Sequence, residues 1–121
     1  NFGAKETVPA QYAGRKLYVH NPQVTLMRTT PAENKAIGEW IATRLNRCEG
    51  KLRFLLPLGG VSAIDVPGAP FHDPEADAAL FGAIRATLLR TPDRQLIELP
   101  YAVNDPAFAA ALVEQYRAIT A

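Results

Sequence analysis

Apolar positions gather into three strand-like runs, Lys16–His20, Leu52–Leu56 and Gln95–Leu99, each followed by a stretch with helical periodicity. Ile37, Trp40, Ile41 and Leu45 share one predicted helical face. Ala76, Leu80, Ala83, Ile84 and Leu88 form a second, and Phe108, Leu112, Tyr116 and Ile119 a third. The helix starts are well marked. Thr30-Pro31-Ala32-Glu33 reads as a capping box with proline in the first turn, and Asp73-Pro74-Glu75 and Asp105-Pro106 repeat the cap-then-proline order. Gly50 is placed to close the first helix in a left-handed conformation.

Strand then helix, three times, predicts a three-layer, Rossmann-like α/β fold with a parallel sheet. The nearly continuous apolar run Leu52–Leu56 suits a strand covered on both faces. Three strands make a narrow sheet. Either Asn1–Gly14 adds an edge, or the sheet continues in chain outside this sequence. No linker or low-complexity stretch divides residues 1–121, which read as one α/β domain or the C-terminal part of one.

The connection Pro57–His72 is far longer than the ~2–6 residues usual between a strand and a helix. Val61, Ile64, Val66 and Phe71 give it apolar anchors, and Gly59, Gly60, Pro67 and Pro70 give it turns. Shaped loops beyond strand C-termini are where α/β proteins place ligand sites. The start of the loop, Gly59-Gly60-Val61-Ser62, is the expected contact region, and Pro67–Phe71 a packed brace.

Composition narrows the function classes. Thirteen Lys and Arg against twelve Asp and Glu leave a net charge of +1, with no basic cluster to argue for nucleic acid. No apolar run approaches a membrane span, so no membrane partner is expected. A single cysteine, Cys48, allows no internal disulfide and points to a reducing, cytoplasmic setting. No His, Cys or carboxylate spacing suggests a metal site. The chain begins Asn1-Phe2-Gly3 without a methionine, which fits either a processed terminus or a domain taken from a longer protein.

A parallel sheet would collect polar residues at one edge: His20, Asn21, Arg28, Thr29 and Thr30 after the first strand; Gly59, Gly60, Ser62, Asp65, His72 and Asp73 after the second; Tyr101, Asn104 and Asp105 after the third. Glycine N–H groups, helix N-termini and Arg28 would together suit an anion. Thr30, Asp73 and Asp105 read first as caps, and Asn21-Pro22 as a turn. Trp40 and Phe81 read as packing residues. Gly60-Val61-Ser62-Ala63-Ile64 lacks the second glycine of a nucleophile elbow, and neither a P-loop nor a dinucleotide fingerprint is present.

Longer motifs carry a resemblance. They are Tyr18-Val-His-Asn-Pro-Gln-Val-Thr-Leu-Met-Arg-Thr-Thr-Pro31 with Glu33-Asn34, Phe54-Leu-Leu-Pro-Leu-Gly-Gly-Val-Ser-Ala-Ile-Asp65, Pro67-Gly68, Pro70-Phe71, Asp73-Pro-Glu-Ala-Asp77 and Asn104-Asp-Pro-Ala-Phe108. Together they resemble the C-terminal part of an uncharacterised protein family related to the tomato mosaic virus resistance protein of plants. Leu58 departs from the polar or acidic residue expected there. The resemblance implies a two-domain α/β protein whose N-terminal domain lies outside this sequence, and ATP as a cofactor of the full-length protein. It assigns no catalytic residue.

Three readings follow. The leading one is a domain that binds a nucleotide or another small anionic molecule, together with the absent N-terminal domain. The second is an enzyme using Ser62, Asp65, His20 or His72 in the same cleft. The third is an interaction module that pairs through an open sheet edge, giving a homo-oligomer.

Overall fold

The first predicted strand forms, but in a hairpin and not in a parallel sheet. A computed structural model describes residues 1–121, in which Leu17–Asn21 (β1) pairs antiparallel with Val24–Met27 (β2). A connection of only Pro22 and Gln23 can join antiparallel neighbours and no others, because a parallel return needs a long crossover. The Gln23 N–H donates to Asn21 Oδ1 at 2.8 Å, so Asn21 shapes the turn as expected. The register shifts between Val19 and Asn21, leaving His20 as the extra residue of a bulge. Phe2 bridges to Thr25 on β2 and stacks at a tilt on Tyr12, with ring centroids 5.6 Å apart. The chain divides into two compact units, Asn1–Thr30 and Pro31–Ala121.

The second unit holds three helices and one parallel strand pair: Pro31–Leu45 (α1), Leu52–Pro57 (β3), Pro74–Thr87 (α2), Arg94–Leu99 (β4) and Pro106–Thr120 (α3). β3 and β4 pair in parallel from Leu52↔Arg94 to Pro57↔Leu99. The fold is thus mixed α/β with three helices and two small sheets, one of them parallel. The three-stranded parallel sheet of the sequence reading is not formed: the first strand pairs antiparallel with its neighbour in sequence, Val24–Met27, in a sheet separate from β3 and β4.

The helix starts follow the sequence. Asp73 accepts from the Ala76 N–H at 3.0 Å and Asp105 from the Ala107 N–H at 2.8 Å. α2 presents Leu80, Phe81 and Ile84 to one face of the strand pair, where Phe54, Leu56 and Leu96 meet them. Each fully buried side chain of this size contributes about 1.5–3 kcal/mol. Leu55, which points to the other face, is buried as well, so both faces of β3 are covered, and α3 packs against this strand with Phe108 buried.

Two expected helix faces are corrected. α1 does not bury Ile37 and Trp40, which are 41% and 57% exposed; Asn34, Gly38 and Ala42 are buried instead. The reason is close approach. A Cβ on Gly38 would stand 2.7 Å from the Leu80 carbonyl oxygen and 2.8 Å from Ala83 Cβ, so α1 meets α2 along its small residues. Asn34 adds a hydrogen bond from Nδ2 to the Ala76 carbonyl at 2.8 Å. Trp40, expected to pack, lies outside with the Arg44 guanidinium 4.0 Å from its ring centroid. On α3, Leu112 and Tyr116 are likewise exposed.

Gly50 does not cap α1, which ends earlier at Leu45, although its φ of +81° is left-handed. The ends of α1 and α2 are secured by Arg94 and Asn46. The Arg94 guanidinium donates to the Asn46, Cys48 and Leu89 carbonyls at 3.0–3.1 Å. The Asn46 side chain donates to Thr87 O and accepts from the Leu89 N–H. A cation at helix C-terminal carbonyls also complements their dipole.

Gly38→Ala tests the helix contact. Alanine favours a helix by about 1 kcal/mol, yet overpacking costs about 1–3 kcal/mol, so urea unfolding should show a net loss of stability.

Candidate functional site

The long loop is built around one carboxylate. Asp65 is 1% exposed; its Oδ2 accepts from the Val61 N–H at 3.1 Å and its Oδ1 from the Asp73 N–H at 3.3 Å. It therefore joins the exit of β3 to the cap of α2. The Ile64 N–H bonds Ser62 Oγ at 3.3 Å, and the Phe71 N–H bonds the Ile64 carbonyl at 2.8 Å, placing the buried Phe71 ring as an anchor. The second half of the loop is thus a packed brace, as its sequence implies.

Gly59 and Gly60 serve close backbone packing. The Gly59 N–H donates to Tyr101 O at 3.0 Å, the Gly60 N–H to Pro57 O at 3.1 Å, and Gly60 O accepts from the Val103 N–H at 2.9 Å. A Cβ on Gly59 would stand 2.6 Å from Ala102 N. At Gly60, φ is +138° and a Cβ would overlap the Asp65 carbonyl oxygen, so only glycine fits. The N–H groups of Gly59, Gly60 and Val61, which the sequence reading aims at an anion, are engaged within the protein. At α2 the Asp73 cap stands with Glu75 and Asp77 in the first turn, an acidic setting that opposes an anion at this helix end.

Beside the loop lies a cleft of about 220 Å³ lined by Leu58, Gly59, His72, Pro74, Asp77, Ala78, Phe81 and Arg85. Asp77, Phe81 and Arg85 follow one another at four-residue steps and share a helix face. Arg85 is held by Glu98 on β4, with Nε to Oε1 at 2.6 Å. Both side chains are partly exposed, so the pair orients the guanidinium more than it stabilises the fold, at about 0–1 kcal/mol. His72 Nδ1 is buried without a hydrogen-bond partner.

The expected site residues fall in both units. Gly59, Gly60, Val61, Ser62 and Asp65 lie together in the second, and of these Gly59 lines the cleft. His20, Asn21, Arg28 and Thr29 belong to the first. There His20 and Asn21 are exposed, whereas Arg28 is 7% exposed, with Nη1 3.5 Å from Thr29 Oγ1. Sequence reasoning passed over Asp77 and Arg85. Alone they read as dipole-complementing residues at opposite ends of α2, and only the i, i+4 spacing through Phe81 marks a shared face. No helix is long and apolar enough to cross a membrane, and no group of three His, Cys, Asp or Glu stands as a metal cage.

Asp65→Ala should cost at least ~2 kcal/mol in denaturant unfolding, because two largely buried N–H groups lose their acceptors. Ser62→Ala, which removes one weaker acceptor, should cost less than ~1 kcal/mol. Equal costs for the two variants would show that Asp65 does not organise the loop.

Comparison with known proteins adds the wider context. Residues 1–120 match the model of the C-terminal domain of the uncharacterised protein family UPF0261. A UPF0261 protein of Rhizobium meliloti is 58% identical over 98% of this chain, which covers 30% of that relative's length. The ToMV resistance protein Tm-1(GCR237) of Solanum lycopersicum is 43% identical over 99% of this chain and 16% of its own length. The ToMV susceptible protein tm-1(GCR26) of the same plant is 42% identical over 96% of this chain and 15% of its own length. The chain spans under a third of the length of these relatives. With nearly every residue matched, this chain belongs to the UPF0261 family, as its C-terminal domain.

Proposed function

We propose that this domain supplies one wall of a small-molecule site at the C-terminal end of β3, in the cleft between the long loop and α2. The observation that carries the reading is Arg85, the one cation among the lining residues, fixed by Glu98 so that its remaining N–H groups can meet an anionic group. His72 on the same cleft supplies a further polar contact, and the Asp77 carboxylate, which would repel the anionic group itself, can accept from a hydroxyl or amino group elsewhere on the ligand. The ligand class is a phosphorylated or carboxylated metabolite, or a nucleotide such as ATP bound through its phosphates.

Size supports a shared site. Complete small-molecule pockets usually measure ~300–1,000 Å³, and this cleft at about 220 Å³ is smaller. The rest of a Rossmann-like, two-domain protein would close it. The N–H groups of Gly59, Gly60 and Val61 take no part in this version, since they are engaged with Tyr101 O, Pro57 O and Asp65 Oδ2 respectively.

A catalytic version would centre on His72 as the acid–base group, because Ser62 and Asp65 are committed to holding the loop. Calorimetry on the full-length protein with ATP, inorganic phosphate and simple phosphate esters tests the wall. Arg85→Ala should weaken binding at least tenfold, with Arg28→Ala as the comparison in the other unit. Binding unchanged in both Arg85→Ala and His72→Ala would remove the cleft as the site. Catalysis would show as phosphate-ester turnover lost in His72→Ala while binding persists.

A further inference from the structure

The strand pair β3–β4 carries the marks of a cut sheet. In a parallel pair, alternate residues direct their backbone N–H and C=O groups to opposite edges. The Leu52 N–H donates to Asp93 O and the Leu58 N–H to Leu99 O, so the even-numbered residues of β3 face β4. Arg53 and Leu55 therefore direct both groups, and Pro57 its carbonyl, to an edge that no strand pairs. Parallel sheets are rarely this small, and two strands alone are marginal in water.

The two edges differ in chemistry. β4 exposes Gln95 and Glu98, one on each face, the polar character of an outer strand. β3 reads Leu52-Arg53-Phe54-Leu55-Leu56, with Leu55 and Leu56 both buried, the character of an interior strand.

The helix layer points the same way. Packed helices stand ~8–10 Å apart and strands ~4.8 Å apart. Two neighbouring helices therefore roof about four strands, and α1 beside α2 has only two beneath the pair. α1 meets α2 through Asn34, Gly38 and Ala42, and the adjoining stripe of α1 bears the exposed Ile37 and Trp40. An exposed tryptophan next to an exposed isoleucine is the composition of a covered face.

We propose that β3 is an interior strand of a wider parallel sheet. Its free edge receives a strand from the polypeptide that precedes this domain in the full-length protein, and that same segment covers Ile37 and Trp40. The occupant is argued from chain length. The family model matched is that of a C-terminal domain, which has chain before it, and the match covers 30% and 28% of the length of two bacterial relatives, so most of each relative lies outside this region. A second copy is the competing occupant.

The test uses the full-length protein. Residue-resolved amide exchange should show Arg53 and Leu55 at least 100-fold slower than Leu96 and Glu98, whose amides face the outer edge of β4. In a Cys48→Ala background, maleimide labelling of Ile37→Cys, read by peptide mass mapping, should be at least tenfold slower than that of Lys35→Cys on the polar side of the same helix. Fast exchange at Leu55, or equal labelling at the two positions, would overturn the proposal. Protection that disappears on dilution to the monomer would overturn it in favour of a second copy. The readouts do not involve the cleft, so this proposal and the ligand reading stand or fall separately.

Discussion

The buried carboxylate of Asp65 is the constraint on which the site depends. A carboxylate with almost no exposure is costly unless hydrogen bonds compensate it, and Asp65 takes one from each end of the segment that it organises. By bonding the Val61 and Asp73 N–H groups it fixes where β3 ends and where α2 begins. The glycine pair before it allows the chain to turn against the Tyr101–Val103 connection after β4. The loops that follow the two parallel strands thereby become one packed layer, and the cleft lies at its margin.

That arrangement redistributes the expected roles. Gly59, Gly60, Ser62 and Asp65 were the natural candidates for ligand contact because of where they fall in the chain. In the folded unit their polar atoms are engaged with Pro57, Val61, Ile64, the Asp73 cap and the Tyr101–Val103 connection. The polar side chains that line the cleft come from α2 and from the end of the loop: Asp77, Arg85 and His72. The long loop acts as a scaffold that shapes the opening, and the helix beneath supplies its charged chemistry.

Packing of α1 on α2 follows a similar economy of space. Gly38, Ala42, Ala76 and Ala83 let the helix backbones come close, and Asn34 satisfies its amide on the Ala76 carbonyl. Close contact of small side chains turns Ile37 and Trp40 away from α2. The most hydrophobic stripe of α1 thus answers to something other than α2, and with the open edge of β3 it marks where further chain belongs.

Local signals were legible in the sequence. The caps at Asp73 and Asp105 with their prolines, the Asn21 turn, the apolar face of α2 and the strand runs all act over a few residues, and each formed where its chemistry placed it. Family membership was legible too, because the motifs around Phe54–Asp65 and Tyr18–Pro31 are long. Tertiary structure decided what no local pattern encodes. The first strand pairs with Val24–Met27 because a two-residue connection joins antiparallel neighbours, a partner that the strand–helix pattern does not reveal. Trp40 lies outside because helix contact is chosen by how closely backbones approach, and the steric room at Gly38 depends on α2, forty residues away. Asp65 is structural and Arg85 lines the cleft because a side chain's role follows from what surrounds it, and those surroundings come from distant parts of the chain.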